Sequence, residues 1–279
     1  QMFDFSWKLD NAYTFWAGIV GGIFLTLGTH GTDQMLVQRY MSARSQRGAG
    51  LALVLSGFVV FLQFGLFLLL GVALGCFYTQ NPPAEAFAFN DQVFATFIVN
   101  ELPANVGIIG LLLAAVFSAA MSTLSSSLNS SAAAIVNDFG VVRSSQEDPA
   151  SASKAITATR GFTVLFGIIQ MVVAVIAQYY SRSVVSDALA VAGFSAGLLL
   201  GLFALGVLTK HVRQPAALIG LLVGLTVLIV VKFGGRLGLA QLGINIPAIA
   251  WPWLPVIGSV VTFAVAMLAS LGDAGRSTS

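Results

Sequence analysis

Cysteine is nearly absent from this chain of 279 residues, and so is charge. The single cysteine, Cys76, sits in an apolar run, which excludes a disulfide framework and a cysteine-based metal cluster. His30 and His211 lie far apart in unlike settings and form no metal pair. Charged residues make up 9% of the chain against 57% hydrophobic, the balance of an integral membrane protein. The net charge of +2 is spread over short loops between apolar runs, so no nucleic-acid surface is expected. No GxSxG motif and no phosphate loop occur, and neither histidine neighbours a candidate serine nucleophile, so no enzyme is expected. Nothing at the start reads as a cleavable signal, because Asp4, Lys8 and Asp10 precede the first apolar stretch. The chain begins with Gln1 rather than methionine, as a piece of a longer protein would.

Long hydrophobic runs are what the chain does have. Seven membrane spans are expected, at about 15–41, 49–77, 106–139, 156–178, 187–208, 215–231 and 252–271. Residues 1–14 form an aromatic pre-helix segment suited to a membrane interface, and 272–279 a polar tail. The short apolar segment 93–99 is too short to cross. Seven spans alternate sides, and the basic residues then favour an outside N-terminus and a cytoplasmic C-terminus. That choice puts Arg39, Arg44, Arg47, Arg143, Lys154, Arg160, Lys210, Arg213 and Arg276 inside, against Lys8, Arg182, Lys232 and Arg236 outside.

Two of the spans are not lipid-like. The first is interrupted by GTHGTDQ, Gly28 to Gln34, which sets His30 and Asp33 inside a hydrophobic run. Gly28 and Gly31 permit a helix break there, and broken helices at membrane depth bind ions and polar solutes. Asp33 equally suits the cap of the second half-helix, where the dipole favours a negative charge. The third span carries eight hydroxyl residues between Ser118 and Ser131. At 100° per residue, Ala119, Ser122, Thr123, Ser126, Asn129 and Ser130 fall on one face. Two readings fit that stripe. Small hydroxyl residues let helices pack closely and bond their own backbone. Neutral oxygens beside a neighbouring backbone also hold a hard cation. In the fifth span, Gly193, Gly197 and Gly201 recur every fourth residue, a surface for close helix packing.

GTDQMLVQRYMSAR (Gly31–Arg44) and AAMSTLSSSLNSSAAAIVNDF (Ala119–Phe139) resemble signatures of the sodium:solute symporter family. The glycine-rich stretch Ser195–Gly220 resembles that family's late helix. The resemblance implies an all-α membrane protein of the leucine-transporter type, built from two inverted five-helix repeats. Residues 15–210 would be the second repeat, broken at 28–34, and 211–271 two appended helices, giving seven transmembrane helices in all. The first repeat would lie outside these residues, on the same native chain or a partner. The implied activity is sodium-coupled symport of a small organic solute: a sugar, sialic acid, monocarboxylate, amino acid or vitamin. The alternative is a solute-sensing module of the same fold. The resemblance also assigns residues. The Ala119 carbonyl and the Ser122 and Thr123 hydroxyls would bind Na+, with Ser125 and Ser126 in a possible second sodium site. Gly28, His30, Gly31, Asp33 and Gln34 of the broken helix would meet the solute, while Ala188 stands near where sugar-carrying members have a glutamine.

Overall fold

The computed structural model describes residues 4–83, 85–103, 106–139, 149–180, 183–210, 212–234 and 247–274. Among them every regular element is a helix. A π-helical turn, Ala17–Gly21, leads into α1 (Gly22–Thr32), followed by α2 (Gln34–Met41) and the long α3 (Gln46–Gln80). The short α4 (Asp91–Thr96) runs into a π-helical turn, Phe97–Glu101. Then come α5 (Ile108–Asp138), α6 (Pro149–Tyr180), α7 (Val184–Leu208), α8 (Gln214–Phe233), a 3-10 turn at Trp251–Trp253 and α9 (Leu254–Ala274).

Six of these helices are long and apolar enough to cross a bilayer: α3, α5, α6, α7, α8 and α9. The expected first span is the broken pair α1 and α2. Its interruption is one residue wide. Asp33 is extended, at φ −75° and ψ 113°, between two helical stretches. Gly28 and Gly31, the residues expected to permit the break, are both helical. The loop 137–155 and the loop holding Gly234, Gly235 and Pro247 fall largely outside the described residues.

The chain divides into two compact units, Gln1–Phe61 with Val185–Ser279, and Leu62–Val184. In the first unit α8 and α9 pack along their length. Gly220 meets Thr262 and Ala266, Gly224 meets Thr262, and Leu228 meets Gly258, so the two helices run antiparallel. The four-residue glycine spacing of α7 is the face that α9 packs against. A Cβ at Gly197 would lie 2.8 Å from the Pro255 Cα, and one at Gly201 would lie 2.8 Å from the Thr262 Cβ. Close backbone approach of this kind is how helices associate where lipid removes the hydrophobic drive between them. Leu228, Leu254 and Thr262 are fully enclosed there.

The N-terminal segment straps over the same unit. The Phe15 amide donates to the Asp4 carbonyl at 2.8 Å, and the Ala250 amide donates to the Leu9 carbonyl at 2.8 Å. Thr14, buried, accepts from the Ala17 amide at 3.2 Å and so caps the start of the first span. Trp7 stacks on Trp16, their rings 4.7 Å apart, and tilts toward Trp253 at 6.2 Å.

In the second unit α5 and α6 pair through Ala132 and Val136, both buried. Gly107, at φ 74°, makes the left-handed turn that starts α5. The segment around 93–99 is helical and too short to span, and it packs Phe97 edge-on against Phe77 of α3 at 5.2 Å. Most large apolar side chains of α3, α5 and α6 face outward, a surface suited to hydrocarbon or further protein rather than water.

Candidate functional site

The hydroxyl stretch folds as an uninterrupted helix because its serines and threonines are diluted by alanine, leucine and methionine and contain no glycine or proline. Hydroxyls in such a helix satisfy their protons on the carbonyl one turn back. Thr123 Oγ1 donates to the Ala119 carbonyl at 3.2 Å, and Ser126 Oγ donates to the Ser122 carbonyl at 3.1 Å. Each oxygen keeps lone pairs, and the helical geometry turns them to one side. Ala119, Ser122 and Thr123 are exposed in the chain as described, so this row of neutral oxygens is not consumed by packing within it.

Neutral oxygens are the ligand type a hard cation takes. The 3.2 Å between the Ala119 carbonyl and the Thr123 hydroxyl is that of the helix's own hydrogen bond. With Ser122 on the same face, α5 offers three neutral oxygens, fewer than the six or so a hard cation takes. A full shell needs oxygens from elsewhere. Ser125 is exposed at the edge of the stripe, about 60° around the helix from Ser122, while Ser126 is half-buried. Among the described residues no cluster of His, Cys, Asp and Glu could hold a metal ion.

The broken helix lies in the other unit, and its geometry stands by itself. The Asp33 carbonyl accepts from the Leu36 and Val37 amides at 3.1 and 2.9 Å, which places Asp33 at the cap position of α2. Upstream, the Thr29 and Thr32 hydroxyls donate to the Leu25 and Gly28 carbonyls at 3.0 and 2.5 Å. The half-buried His30 ring sits with its Nδ1 3.1 Å from the Thr29 hydroxyl and stacks toward Tyr40 at 6.4 Å. Gly31 has open space at its Cα, room for a ligand or a neighbouring backbone, while Gly28 is packed against Ala196 of α7. The Gln34 side chain lies outside the described residues.

Reading the sequence alone missed two features. One is the strap that the N-terminal segment forms through Asp4 and Leu9. The other is a groove of about 370 Å³ between α5 and α6, lined by Asn129, Asn137 and Arg160 among others. Arg160 registered in the sequence only as a basic residue of the inner side.

Residues 7–224 match the sodium:solute symporter family. The chain is 31% identical over 245 residues to the human sodium/iodide cotransporter, covering 85% of this chain and 37% of that protein. It is 32% identical over 219 residues to the rabbit sodium-dependent multivitamin transporter, covering 76% of this chain and 33% of that protein. These relatives are transporters rather than enzymes, and the chain spans about a third of their length. Among solved structures, a substrate-bound, outward-open Na+-coupled sialic acid symporter superposes with a TM-score of 0.72 at 26% identity. That superposition covers 95% of this chain and 51% of the symporter. The matched stretch carries the broken helix, the hydroxyl helix and the glycine face of α7, and with it this multi-pass membrane chain belongs to the sodium:solute symporter family.

Proposed function

We propose that this chain is the second-repeat part of a symporter that carries a small organic solute inward with sodium by alternating access. The observation that carries the reading is the row of neutral oxygens on α5, at Ala119, Ser122 and Thr123, on a face that stays exposed in the chain as described. Ala119, Ser122 and Thr123 supply part of the sodium shell, and Ser125 and Ser126 contribute to a second sodium position. The remaining ligands come from a first repeat beyond these residues. The broken helix, with Gly28, His30, Gly31, Asp33 and Gln34, meets the solute. The N-terminus faces outside and the C-terminus the cytoplasm.

The mechanism follows from where the ligands sit. Sodium held between α5 and a helix of the first repeat ties the two together and biases the conformational equilibrium toward the state that accepts solute. Coupling of this kind is reciprocal, so bound solute tightens sodium in turn. Sodium moving into an inside-negative cell gains about 2.3 kcal/mol per charge per 100 mV, which drives the cycle inward. When the ion leaves, the tie between the helices goes with it and the solute site opens.

The solute class follows from the relatives only at the level of small ions and organic molecules, since those named carry iodide, vitamins and sialic acid. The test is uptake by cells making the protein, over a panel of labelled sugars, monocarboxylates, amino acids and vitamins, in sodium and in choline. Uptake of at least one solute that requires sodium is expected. Uptake that is equal in both salts for every solute carried would overturn the reading.

A further inference from the structure

We propose that Thr29 and His30 make the end of α1 a hydrogen-bond acceptor site, which selects a solute bearing hydroxyl or ammonium donors over a carboxylate or halide anion. The inference rests on the reading that the broken helix meets the solute, and it narrows the class of that solute. It starts from where the protons go in the last turn of α1.

The Thr29 hydroxyl has three neighbours at hydrogen-bond distance: the Leu25 carbonyl at 3.0 Å, the Thr26 carbonyl at 3.3 Å and His30 Nδ1 at 3.1 Å. A hydroxyl has one proton to give, and a carbonyl can only accept. If that proton went to Nδ1, the hydroxyl oxygen would face two carbonyl oxygens with no hydrogen between them. With the proton on the carbonyl side and a hydrogen on Nδ1, all three contacts are favourable. Neutral His30 is therefore the Nδ1–H tautomer, and its Nε2 carries a bare lone pair. Tyr40 of α2 faces the same ring from beyond the break, its own ring 6.4 Å away and inclined by 18°. Thr29 is thus a positioning residue that acts through His30.

The other side-chain protons of this turn are spent as well. The Thr32 hydroxyl donates to the Gly28 carbonyl at 2.5 Å, which leaves its oxygen only lone pairs to offer. Across the break, the Leu36 and Val37 amides are given to the Asp33 carbonyl. Asp33 brings a carboxyl group to the interruption, and the C-terminal end of α1 brings the negative end of its dipole. Among the described residues no donor meets His30 Nε2. Nε2, the Thr32 oxygen and the Asp33 carboxyl fall within one turn, beside the open space at the Gly31 Cα. A solute that brings donors finds acceptors here. A carboxylate or halide meets only lone pairs and gives up its own water for nothing.

The experiment uses the full native chain in nanodiscs with isotope-labelled histidine, read by nitrogen NMR in mildly alkaline buffer, which keeps an imidazole neutral. His30→Phe keeps the ring shape and assigns the His30 signals by difference; His30→Gln serves if that variant does not fold. The hydrogen is expected on Nδ1 in wild type, and Thr29→Val should move part of it to Nε2. The probes are myo-inositol, ethanolamine, lactate and iodide, each added in sodium. Myo-inositol or ethanolamine should move the Nε2 signal, and which of them does so separates a polyol from an ammonium solute. Lactate and iodide should leave it in place. In uptake, His30→Phe should raise the half-maximal concentration of the active probe about tenfold, the loss of one hydrogen bond, and His30→Gln should recover most of it. A hydrogen on Nε2 in wild type would overturn the proposal. So would a shift caused by lactate, by iodide or by sodium alone, and so would silence to all four probes, since a first-repeat donor would then hold Nε2. A lack of sodium-dependent uptake falls on the symport reading instead, because the tautomer and the probe shifts are read without transport.

Discussion

Gly28 of the broken first span crosses α7 at Ala196 with no room for a methyl group: a Cβ there would lie 2.7 Å from the Ala196 Cβ and 2.9 Å from its carbonyl oxygen. The glycine is thus a packing residue, and the upper half of the broken helix is held against α7 by backbone proximity. Gly28→Ala gains helix propensity worth up to about 1 kcal/mol but forces an overpacked crossing that costs about 1–3 kcal/mol. A net loss of about 1–2 kcal/mol is expected, read as a fall in melting temperature of the purified protein. Adding Ala196→Gly should recover part of it, because the carbonyl contact stays. Full additivity of the two changes would show that they do not share the contact.

Removing an oxygen from the stripe on α5 tests the sodium reading directly. Ser122→Ala deletes a neutral ligand and leaves the helix and its backbone bonds intact. A hydrogen-bond-sized contact to a charge is worth about 1.5–3 kcal/mol, so the sodium concentration for half-maximal uptake should rise roughly tenfold or more. Thr123→Ala should act in the same direction. Ser131→Ala, on another face of the same helix, should leave sodium dependence unchanged. A sodium curve for Ser122→Ala that overlays wild type would remove Ser122 from the site.

Much of this was readable in the sequence, because the features that carry it are local. Runs such as Gln46–Gln80 exceed the bilayer thickness, and no soluble fold would tolerate them. The hydroxyl face of α5 follows from helical periodicity alone, and so does the glycine face of α7. The break at residues 28–34 was legible as to place but not as to cause. Glycine is permissive of a break without dictating one, and tertiary contact with Ala196 holds Gly28 helical while the chain turns at Asp33 instead. The strap was invisible because its two backbone bonds join residues far apart in sequence, Leu9 with Ala250 in one case. The groove was invisible for the same reason: Asn129, Asn137 and Arg160 share a wall only once α5 and α6 have paired.

The strap predicts a local loss of protection when its aromatic centre is removed. Trp7 lies 4.7 Å from Trp16 and 6.2 Å from Trp253, and aromatic pairs contribute about 0.5–1.5 kcal/mol each beyond the area they bury. Trp7→Ala should therefore speed hydrogen exchange at the Ala250 amide, which donates to Leu9, by about tenfold. Amides in the middle of α8 and α9 should not change. If Ala250 exchanges at the wild-type rate, the backbone bonds hold the strap without the indole.

Acid should loosen the same strap, and Asp4 gives the direction. The Ser6 hydroxyl beside its carboxylate, and then the Ser6 amide donating to Asp4 Oδ1 at 2.9 Å, hold its pKa below the ordinary 3.8. A carboxylate whose pKa is depressed in the folded state stabilises that state in its ionised form. The contribution is complete above the unfolded value of 3.8 and disappears as pH falls through the lower folded value. Trp7 fluorescence should thus stay constant from neutral pH down to about 4 and shift below it. Asp4→Ala removes the acceptor at every pH, so its Trp7 signal at neutral pH should resemble that of acidified wild type, with no step on further acidification. A step of unchanged size in Asp4→Ala would assign the transition to another acid, and Asp10, on the same strap, is the next to replace.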